Sequence, residues 1–236
     1  MSLLGKGVLA IWNGIDQDAE DEFLKWHVHE HIPERVALPG FLRGRRYVAI
    51  DGFPKFFNFY ETSSASDLVS PAYREALNDP SEWTRNVVRF FRDTSRTICD
   101  VAMSTGEGEG VFMETLRLRS HMDAPEFKRG LVETVLNAVS REYGVVGTHL
   151  LEGQAGTGTG ETAELRLRGR PDETAAWVLL VEAVDQGAIK ALRKGVLSED
   201  SLTAAGVDHE IRRGMYALQF SLAASELSGP AIRRRS

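Results

Sequence analysis

The sequence is poor in cysteine and has no long hydrophobic run. Cys99 is the single cysteine among 236 residues, which excludes an intrachain disulfide and fits a reducing compartment. No apolar stretch approaches the roughly 20 residues that a membrane-spanning helix needs. The N-terminal residues lack the basic and then apolar segments of a signal peptide. We therefore expect a cytoplasmic protein without membrane partners.

The sequence also has no excess of positive charge. The formal net charge is -6 at pH 7, which disfavours nucleic-acid binding driven by general electrostatics. The hydrophobic content of 42% and the charged content of 26% are typical of a globular protein. The length allows one large domain or two domains of about a hundred residues each.

The hydrophobic pattern predicts the same order of elements twice. In the first half we predict strands at 7–13, 41–51, 55–61 and 95–103, with helices at 19–35, 67–77 and 80–91. In the second half we predict strands at 111–118, 145–152, 177–184 and 213–222, with helices at 124–143 and 186–194. Phe23 aligns loosely with Phe127, and Glu61 aligns with Glu182. Two β-α-β-β-α-β repeats are therefore expected.

The glycine-rich stretch at 106–110 is the best candidate linker between the two repeats. It divides the chain into a first repeat at 1–105 and a second repeat at 111–236. The bare face of each four-stranded sheet must be covered. The fold class predicted is α+β, with two tandem ferredoxin-like repeats packed sheet to sheet as a pseudo-dimeric α/β barrel.

A second glycine-rich stretch, at 153–160, has the composition of a phosphate-binding loop but not its context. No Lys-Ser or Lys-Thr pair follows it, and 161–168 has the pattern of an extended segment, whereas a nucleotide would need a helix N-terminus there. We predict a flexible hairpin loop at 153–160 and a solvated, flexible C-terminal tail.

Three of the six histidines fall within five residues, in the segment 26–35. His27 and His31 are four residues apart and share a helical face, while His29 is turned away by about 200°. Pro33 is expected to end or bend the helix. Histidine can move protons or hold a metal near neutral pH.

A zinc site is one interpretation of this cluster. His27, Glu30 and His31 match the pattern H-x-x-E-H of inverted zinc proteases. The third ligand would have to be distant, and Glu107 and Glu109 are the residues that could be nominated. Pro33 weakens this interpretation, because it interrupts the helix that would hold the pair.

General acid–base chemistry is the second interpretation. His27 or His31 could take a proton from an acidic carbon or a phenol. Arg43 and Arg45 share a strand face, and we nominate Arg45 as the catalytic anion clamp with Arg43 as a substrate contact. The remaining predicted substrate contacts are Trp12, Asn58 and Tyr60.

A structural role is the third interpretation. Histidines near a helix end can cap its last carbonyls, and aromatic residues at helical spacing are commonly core. For the other histidines, His121, His149 and His209, the structural role is the default.

The first half resembles the dimeric α/β-barrel superfamily, close to its EthD-like and related uncharacterised branches. The residues that carry the resemblance are those at 26–27 and 30–35, Pro39-Gly40-Phe41, Arg45-Arg46-Tyr47 and the strand at 57–61. The second half matches only by its order of elements. The superfamily includes cofactor-free monooxygenases, lactone isomerases, haem-dependent enzymes and stress proteins, so the resemblance implies a small-molecule cavity but no particular reaction.

The function expected is that of a monooxygenase-like or isomerase-like enzyme. It would perform proton abstraction, isomerisation or cofactor-free oxygenation on a small anionic or aromatic substrate. A binding or stress-response module of the same fold is the alternative, and a zinc hydrolase ranks below it. We expect no tightly held cofactor, with haem and zinc left open, one site per chain, and a homodimer as one assembly.

Overall fold

The computed structural model describes residues 3–154, 160–169 and 171–227. The strands are β1 (Gly7–Ile15), β2 (Phe41–Asp51), β3 (Phe56–Thr62), β4 (Phe91–Gly106), β5 (Phe112–Leu118), β6 (Val145–Gly153), β7 (Trp177–Ala183) and β8 (Arg212–Ala223). The helices are α1 (Glu20–Trp26), α2 (Ile32–Val36), α3 (Pro71–Asn78), α4 (Glu82–Val88), α5 (Ala124–Leu131), α6 (Asn137–Val139), α7 (Ala163–Arg168), α8 (Gln186–Lys194) and α9 (Glu199–Ala204). None of the helices described is long and apolar enough to cross a membrane.

The eight strands close into one antiparallel barrel in the order β1-β3-β2-β8-β5-β7-β6-β4. Strands β4-β1-β3-β2 form one ferredoxin-like sheet, and β8-β5-β7-β6 form the other. The two sheets join through the pairs β2–β8 and β4–β6. Each sheet therefore covers the edges of the other, which removes the exposed edges that an isolated sheet would have. The predicted α+β fold of two tandem repeats is confirmed.

Alternation along the strands separates the barrel interior from the helix-facing surface. On β3, Phe57 and Phe59 belong to the apolar cluster inside the barrel, whereas Tyr60 belongs to a cluster with α2 and α3. Trp12, Tyr47 and Tyr216 are also buried inside the barrel. The barrel is thus filled by side chains and is not an open channel.

The helices cover the outer surface of each sheet. In the first half, Phe23 and Trp26 of α1 pack with Phe56 of β3. In the second half, Phe127 and Leu131 of α5 belong to the largest apolar cluster, which also contains residues of β5, β7, α8 and α9. Phe23 and Phe127 are both fully buried, as their predicted equivalence requires.

Every predicted strand is found, with ends that differ by a few residues. Two helical segments were predicted wrongly: α9 was not expected, and 161–168 forms α7 instead of an extended segment. The side chain of Thr162 accepts a hydrogen bond from the amide of Leu165 and caps α7. The end of β4 at Gly106 and the start of β5 at Phe112 leave the predicted linker at 106–110 between them. The exact domain division stays a prediction.

Two loop predictions concern residues that lie mostly outside the described part of the chain. Of the glycine-rich loop predicted at 153–160, residues 155–159 are not among the described residues. The predicted C-terminal tail lies outside them from 228 onwards.

Candidate functional site

The clustered histidines lie in a helical segment that runs without a break from α1 to α2. A π-helical turn at His27–His31 connects the two helices, and the amide of Ile32 donates to the carbonyl of His27, five residues earlier. Pro33 follows in the first turn of α2, directly after the π turn. The sequence predicted that Pro33 would end or bend the helix. The helical segment continues through Pro33, so the helix does not end there. Single π turns of this kind are frequent at functional sites.

The π turn brings two imidazole rings together. The ring centroids of His27 and His31 lie 5.4 Å apart at an interplanar angle of 26°, and the ring of Trp26 lies 4.3 Å from that of His31. His27 is buried, His31 is half-buried and His29 is exposed. The pair therefore faces the sheet, while His29 faces solvent.

A cavity of about 40 Å³ lies between this helical segment and the helix-facing surface of β1 and β3. Its polar lining residues are His27, His31, Arg35, Asn58, Tyr60, Tyr73, Arg96, Glu164 and Arg168. Apolar side chains, among them Leu9 and Ile11, form much of the remainder. Such a volume holds water molecules, whereas pockets for organic ligands are typically about 300–1,000 Å³.

Both histidines are held neutral at pH 7. Burial lowers the pKa of His27 well below its ordinary value, and the nearby Arg46 lowers it further. Burial also lowers the pKa of His31, with the positive charge of Arg35 as the next cause. A neutral imidazole has one nitrogen that can accept a proton. The pair can thus act as a base toward a molecule in the cavity.

Tyr60 lies beside the pair. Its hydroxyl oxygen lies 3.5 Å from Nε2 of His27, at the outer limit of a hydrogen bond. Burial raises the pKa of Tyr60, so its hydroxyl stays protonated and can donate. Nδ1 of His27 and Nδ1 of His31 are buried and have no hydrogen-bond partner among the described residues. These nitrogens are free to bind a ligand.

Arg35 and Glu164 close one side of the cavity. Nη2 of Arg35 forms a buried ion pair with Glu164, which reaches across from α7 in the second half of the chain. Burial alone would lower the pKa of Arg35, but Glu164 and Glu34 outweigh burial and raise it. The arginine is therefore a permanent positive charge beside His31.

Four of the seven predicted site residues meet at this cavity, and three do not. His27, His31, Asn58 and Tyr60 line the cavity. Nδ2 of Asn58 donates to Oδ1 of Asn13 at 2.7 Å. The remaining three, Trp12, Arg43 and Arg45, point into the barrel from the opposite face of the sheet. One site containing all seven is therefore incompatible with the alternation of side chains along β1, β2 and β3.

Arg45 belongs to a buried ionic network inside the barrel. Its guanidinium contacts Glu182 at 3.1 Å and Glu61 at 3.1 Å, and Arg43 contacts Glu61 at 2.7 Å. Nε2 of His149 lies 3.2 Å from the carboxylate of Glu182. The isolated position of His149 in the sequence suggested no partner, but in the structure its imidazole belongs to this ionic network.

The network has an approximate twofold pattern that reflects the repeats. Glu61 faces Arg43 in the pairing of β2 with β3, and Glu182 faces Gly147 in the pairing of β6 with β7. Two residues further on, Arg45 and His149 take equivalent positions. The repeats thus share the carboxylates but differ in the residue two positions further on, which is an arginine in the first repeat and a histidine in the second. Trp12 lies deeper in the barrel, where its indole donates to Thr115 at 3.3 Å.

The geometry does not support the zinc interpretation. The carboxylate of Glu30 accepts hydrogen bonds from Ser81, Thr84 and Trp26, so it ties the helix to the start of α4. Glu109 is paired with Arg43 in the barrel network. Within the described ranges, no three His, Cys, Asp or Glu side chains are grouped so that they could hold a metal ion.

An arginine-lined cleft of about 670 Å³ adjoins the cavity. The two share Phe91 and Arg168 as lining residues. The other arginines that line the cleft are Arg92, Arg117, Arg212 and Arg213. The lining contains only two acidic residues, Asp93 and Glu173. The described part of the cleft is therefore predominantly basic, although the whole chain is acidic.

Sequence reasoning missed the polar residues that the second half brings to the cavity. Glu164 and Arg168 were not nominated, because 161–168 was expected to be extended and remote. Arg35 lay within the histidine-rich motif but was not singled out. The pattern of Thr162 followed by a run of helix-forming residues was the available signal for α7.

Comparison with solved structures relates the whole chain to known proteins. An anthrone oxidase-like protein matches with a TM-score of 0.63 and 12% identity, over 96% of this chain and 97% of the other. Candidate monooxygenases match at 10% identity. The one from Fusobacterium nucleatum has a TM-score of 0.57, covering 94% of this chain and 96% of the other. The one from Lactobacillus acidophilus has a TM-score of 0.55, covering 92% and 99%.

The chain has the dimeric α/β-barrel fold. The closed barrel of eight strands and the whole-chain matches agree on it. No protein-family model matches the sequence, and no curated protein matches it. At such low identity the likeness concerns the fold alone, because a dimeric α/β barrel can host many chemistries. The narrower placement in an EthD-like branch stays a prediction.

Proposed function

We propose that the protein is a small-molecule enzyme that removes a proton from an acidic carbon or a phenol. The observation that carries the proposal is the pair of neutral imidazoles of His27 and His31, which line the cavity and whose buried Nδ1 atoms have no hydrogen-bond partner among the described residues. Groups whose pKa is displaced by burial and by specific charges are concentrated at functional sites. A purely structural histidine would be expected to have its ring nitrogens satisfied.

The roles follow from the charges around the cavity. His27 or His31 accepts the proton, and Tyr60, held protonated by burial, donates to the oxygen on which negative charge develops. The guanidinium of Arg35 stabilises the resulting imidazolium poorly but stabilises an anionic substrate or enolate well. Asn58 orients the substrate through its amide. Arg45, Arg43 and Trp12 would act through the structure of the barrel and not by contact with the substrate.

Oxygenation is the reaction class that the fold comparison favours for the step after proton removal. The most similar folds named above are an anthrone oxidase-like protein and candidate monooxygenases. A carbanion formed between two aromatic rings can react with dioxygen. The methylene group becomes a carbonyl group with uptake of one O2 and release of one water, so no external reductant is required. Reprotonation of the same carbanion would give isomerisation.

Deuterium exchange tests the proton-removal step directly. A panel of aromatic compounds with acidic methylene groups is incubated with the protein in D2O under argon, and exchange of the methylene hydrogens is followed by NMR. We expect His27→Gln or His31→Gln to slow exchange by about 10²–10⁴-fold. His29→Gln is the matched control, because His29 lies in the same turn and its side chain is exposed. This variant should catalyse substrate exchange at the rate of the unmodified protein.

The outcomes separate the enzyme from a binding module. Exchange that survives replacement of both His27 and His31 would remove their proposed role. Absence of exchange over the whole panel, together with ligand-dependent shifts of the histidine signals, would assign the cavity to binding alone. Oxygen consumption in air, measured with the compounds that exchange, distinguishes oxygenation from isomerisation.

A further inference from the structure

The cavity is closed by α7, a short helix with few buried apolar contacts. α7 has only one buried residue, Glu164, while Leu165 is half-buried and Leu167 is exposed. Its other contacts to the first half include a hydrogen bond of 3.1 Å from the amide of Ala163 to Asn78. Segments with few buried apolar contacts lie at the low end of local stability. α7 can therefore leave the cavity at small cost in apolar burial.

Glycines stand on both sides of α7. Gly160 has a φ of +72° and Gly169 a φ of +70°, and a side chain at either position would meet no atom within 4 Å. Positive φ is accessible to glycine without strain, and unhindered glycines can absorb the dihedral changes of a hinge. The short helix is thus joined to the chain at two points that can rotate.

The ion pair between Arg35 and Glu164 is one in which another carboxylate could replace that of Glu164. Arg35 and Glu164 are both almost fully buried, at 2% and 5% exposure. The desolvation of two buried charges offsets much of their attraction, so the pair contributes little net free energy to closure. Nη1 of Arg35 is buried and makes no hydrogen bond among the described residues, although the carboxylate of Glu34 lies 3.6 Å away as an ion-pair partner. The Nη1 hydrogens can therefore still be donated to an acceptor oxygen of a ligand.

We propose that the substrate of this cavity carries a carboxylate, which binds Arg35 in the place held by Glu164 when α7 opens. The inference rests on the proposed function, because it names the substrate class of the same site. The closed cavity of about 40 Å³ is too small for an aromatic acid, so a wall must move. α7 is the wall with the weakest apolar attachment, and its carboxylate marks the position of the ligand's carboxylate.

The basic cleft beside the cavity provides the approach. It shares Arg168 with the cavity; Nη2 of Arg168 donates to Asp172 at 2.8 Å, and its buried Nε has no hydrogen-bond partner among the described residues. The lining has five arginines against two carboxylates, and an excess of positive charge raises the local concentration of anionic ligands. An aromatic carboxylate would therefore collect at the outer side of α7 before it exchanges with Glu164.

Calorimetry with a matched pair of probes tests the proposal. 2-Naphthoate carries the carboxylate, and 2-naphthol is a neutral probe of similar shape at pH 7. In Glu164→Gln we expect the affinity for 2-naphthoate to rise at least tenfold, because the competing internal carboxylate is gone, while the affinity for 2-naphthol changes less than threefold. Glu161→Gln is the control, since Glu161 is exposed and forms an ion pair with the exposed Arg166 at 3.9 Å.

A variant in which a disulfide holds α7 closed supplies a second measurement if Glu164→Gln does not fold. Asn78→Cys combined with Ala163→Cys places two thiols at the contact between α3 and α7, and oxidation should abolish 2-naphthoate binding until a reductant is added. Unchanged 2-naphthoate affinity in Glu164→Gln, an equal gain for 2-naphthol, or full binding by the oxidised double variant would each overturn the proposal.

The failure of the two proposals can be told apart. Tenfold tighter 2-naphthoate binding without any deuterium exchange would leave the carboxylate site standing and remove the proton chemistry. Exchange that depends on His27 and His31, with no effect of Glu164→Gln on the affinity for either probe, would leave the proton chemistry standing and remove the carboxylate site.

Discussion

Replacing Glu182 with glutamine should cost the fold about 3 kcal/mol at neutral pH. Burial alone raises the pKa of Glu182, but Arg45, His149 and the amide of Gly110 outweigh burial and lower the pKa from 4.5 to about 2. The difference between these two values, at about 1.36 kcal/mol per pH unit, corresponds to about 3 kcal/mol of stability. A loss of this size agrees with the cost of breaking a buried ion pair, about 3–5 kcal/mol.

The pH dependence of this loss has a defined direction. A carboxylate whose pKa is lower in the folded state stabilises the fold at pH values above its unfolded pKa. That stabilisation declines as the pH falls from about 4.5 towards about 2. The difference between the unmodified protein and Glu182→Gln should therefore shrink to roughly 2 kcal/mol at pH 3.5 and about 1 kcal/mol at pH 3.

Urea denaturation followed by tryptophan fluorescence at pH 7, 5.5, 4 and 3.5 measures the loss. Glu173→Gln is the control, because Glu173 pairs with Arg212 at the surface with both side chains about half exposed. Such a pair contributes at most about 1 kcal/mol. The reasoning is refuted if Glu182→Gln loses less than 1 kcal/mol at pH 7, or if its loss does not shrink with falling pH.

Two further predictions concern the histidine pair and the linker. Because burial lowers the pKa of His27 below its ordinary value of 6.5, the unfolded chain binds a proton below that pH which the folded protein does not bind, so the unfolding free energy declines as the pH falls. His27→Gln should flatten the decline in unfolding free energy between pH 6.5 and 5, whereas His29→Gln should leave the decline unchanged; equal curves for the two variants would contradict this. Gly106→Ala should destabilise by more than about 2 kcal/mol, because the new Cβ would lie 2.1 Å from the carbonyl oxygen of Val146 at a φ of +113°. Gly108→Ala has the positive φ but open space around it, and thermal unfolding should show it to be less harmful.

Much of the fold could be predicted because its signals are local. The short apolar run at 177–184, rich in valine and leucine, marks a buried strand whatever it pairs with. The repeated order of elements predicts two sheets, and each sheet needs a cover for its bare face. The helix at 186–194 was predicted at its observed bounds, since its apolar face repeats at helical spacing.

The candidate site could be predicted only in part. His27 and His31 share a face through their spacing alone, and Tyr60 and Asn58 lie on the strand beneath them. Glu164 could not be assigned, because it lies more than a hundred residues from Arg35 in the chain and reaches it only when the two repeats pack. The cation–carboxylate pairs of the barrel interior are equally non-local.

The sequence by itself determined the elements, their repeat and the clustering of the histidines, since these depend on neighbours along the chain. Only the tertiary structure decided which side of the sheet each candidate faces. That choice follows from barrel closure, which turns Arg45 and Trp12 inward and leaves His27, His31 and Tyr60 outside. It also decided that α7 of the second repeat covers the site of the first, because the position of an insertion depends on how the two sheets meet.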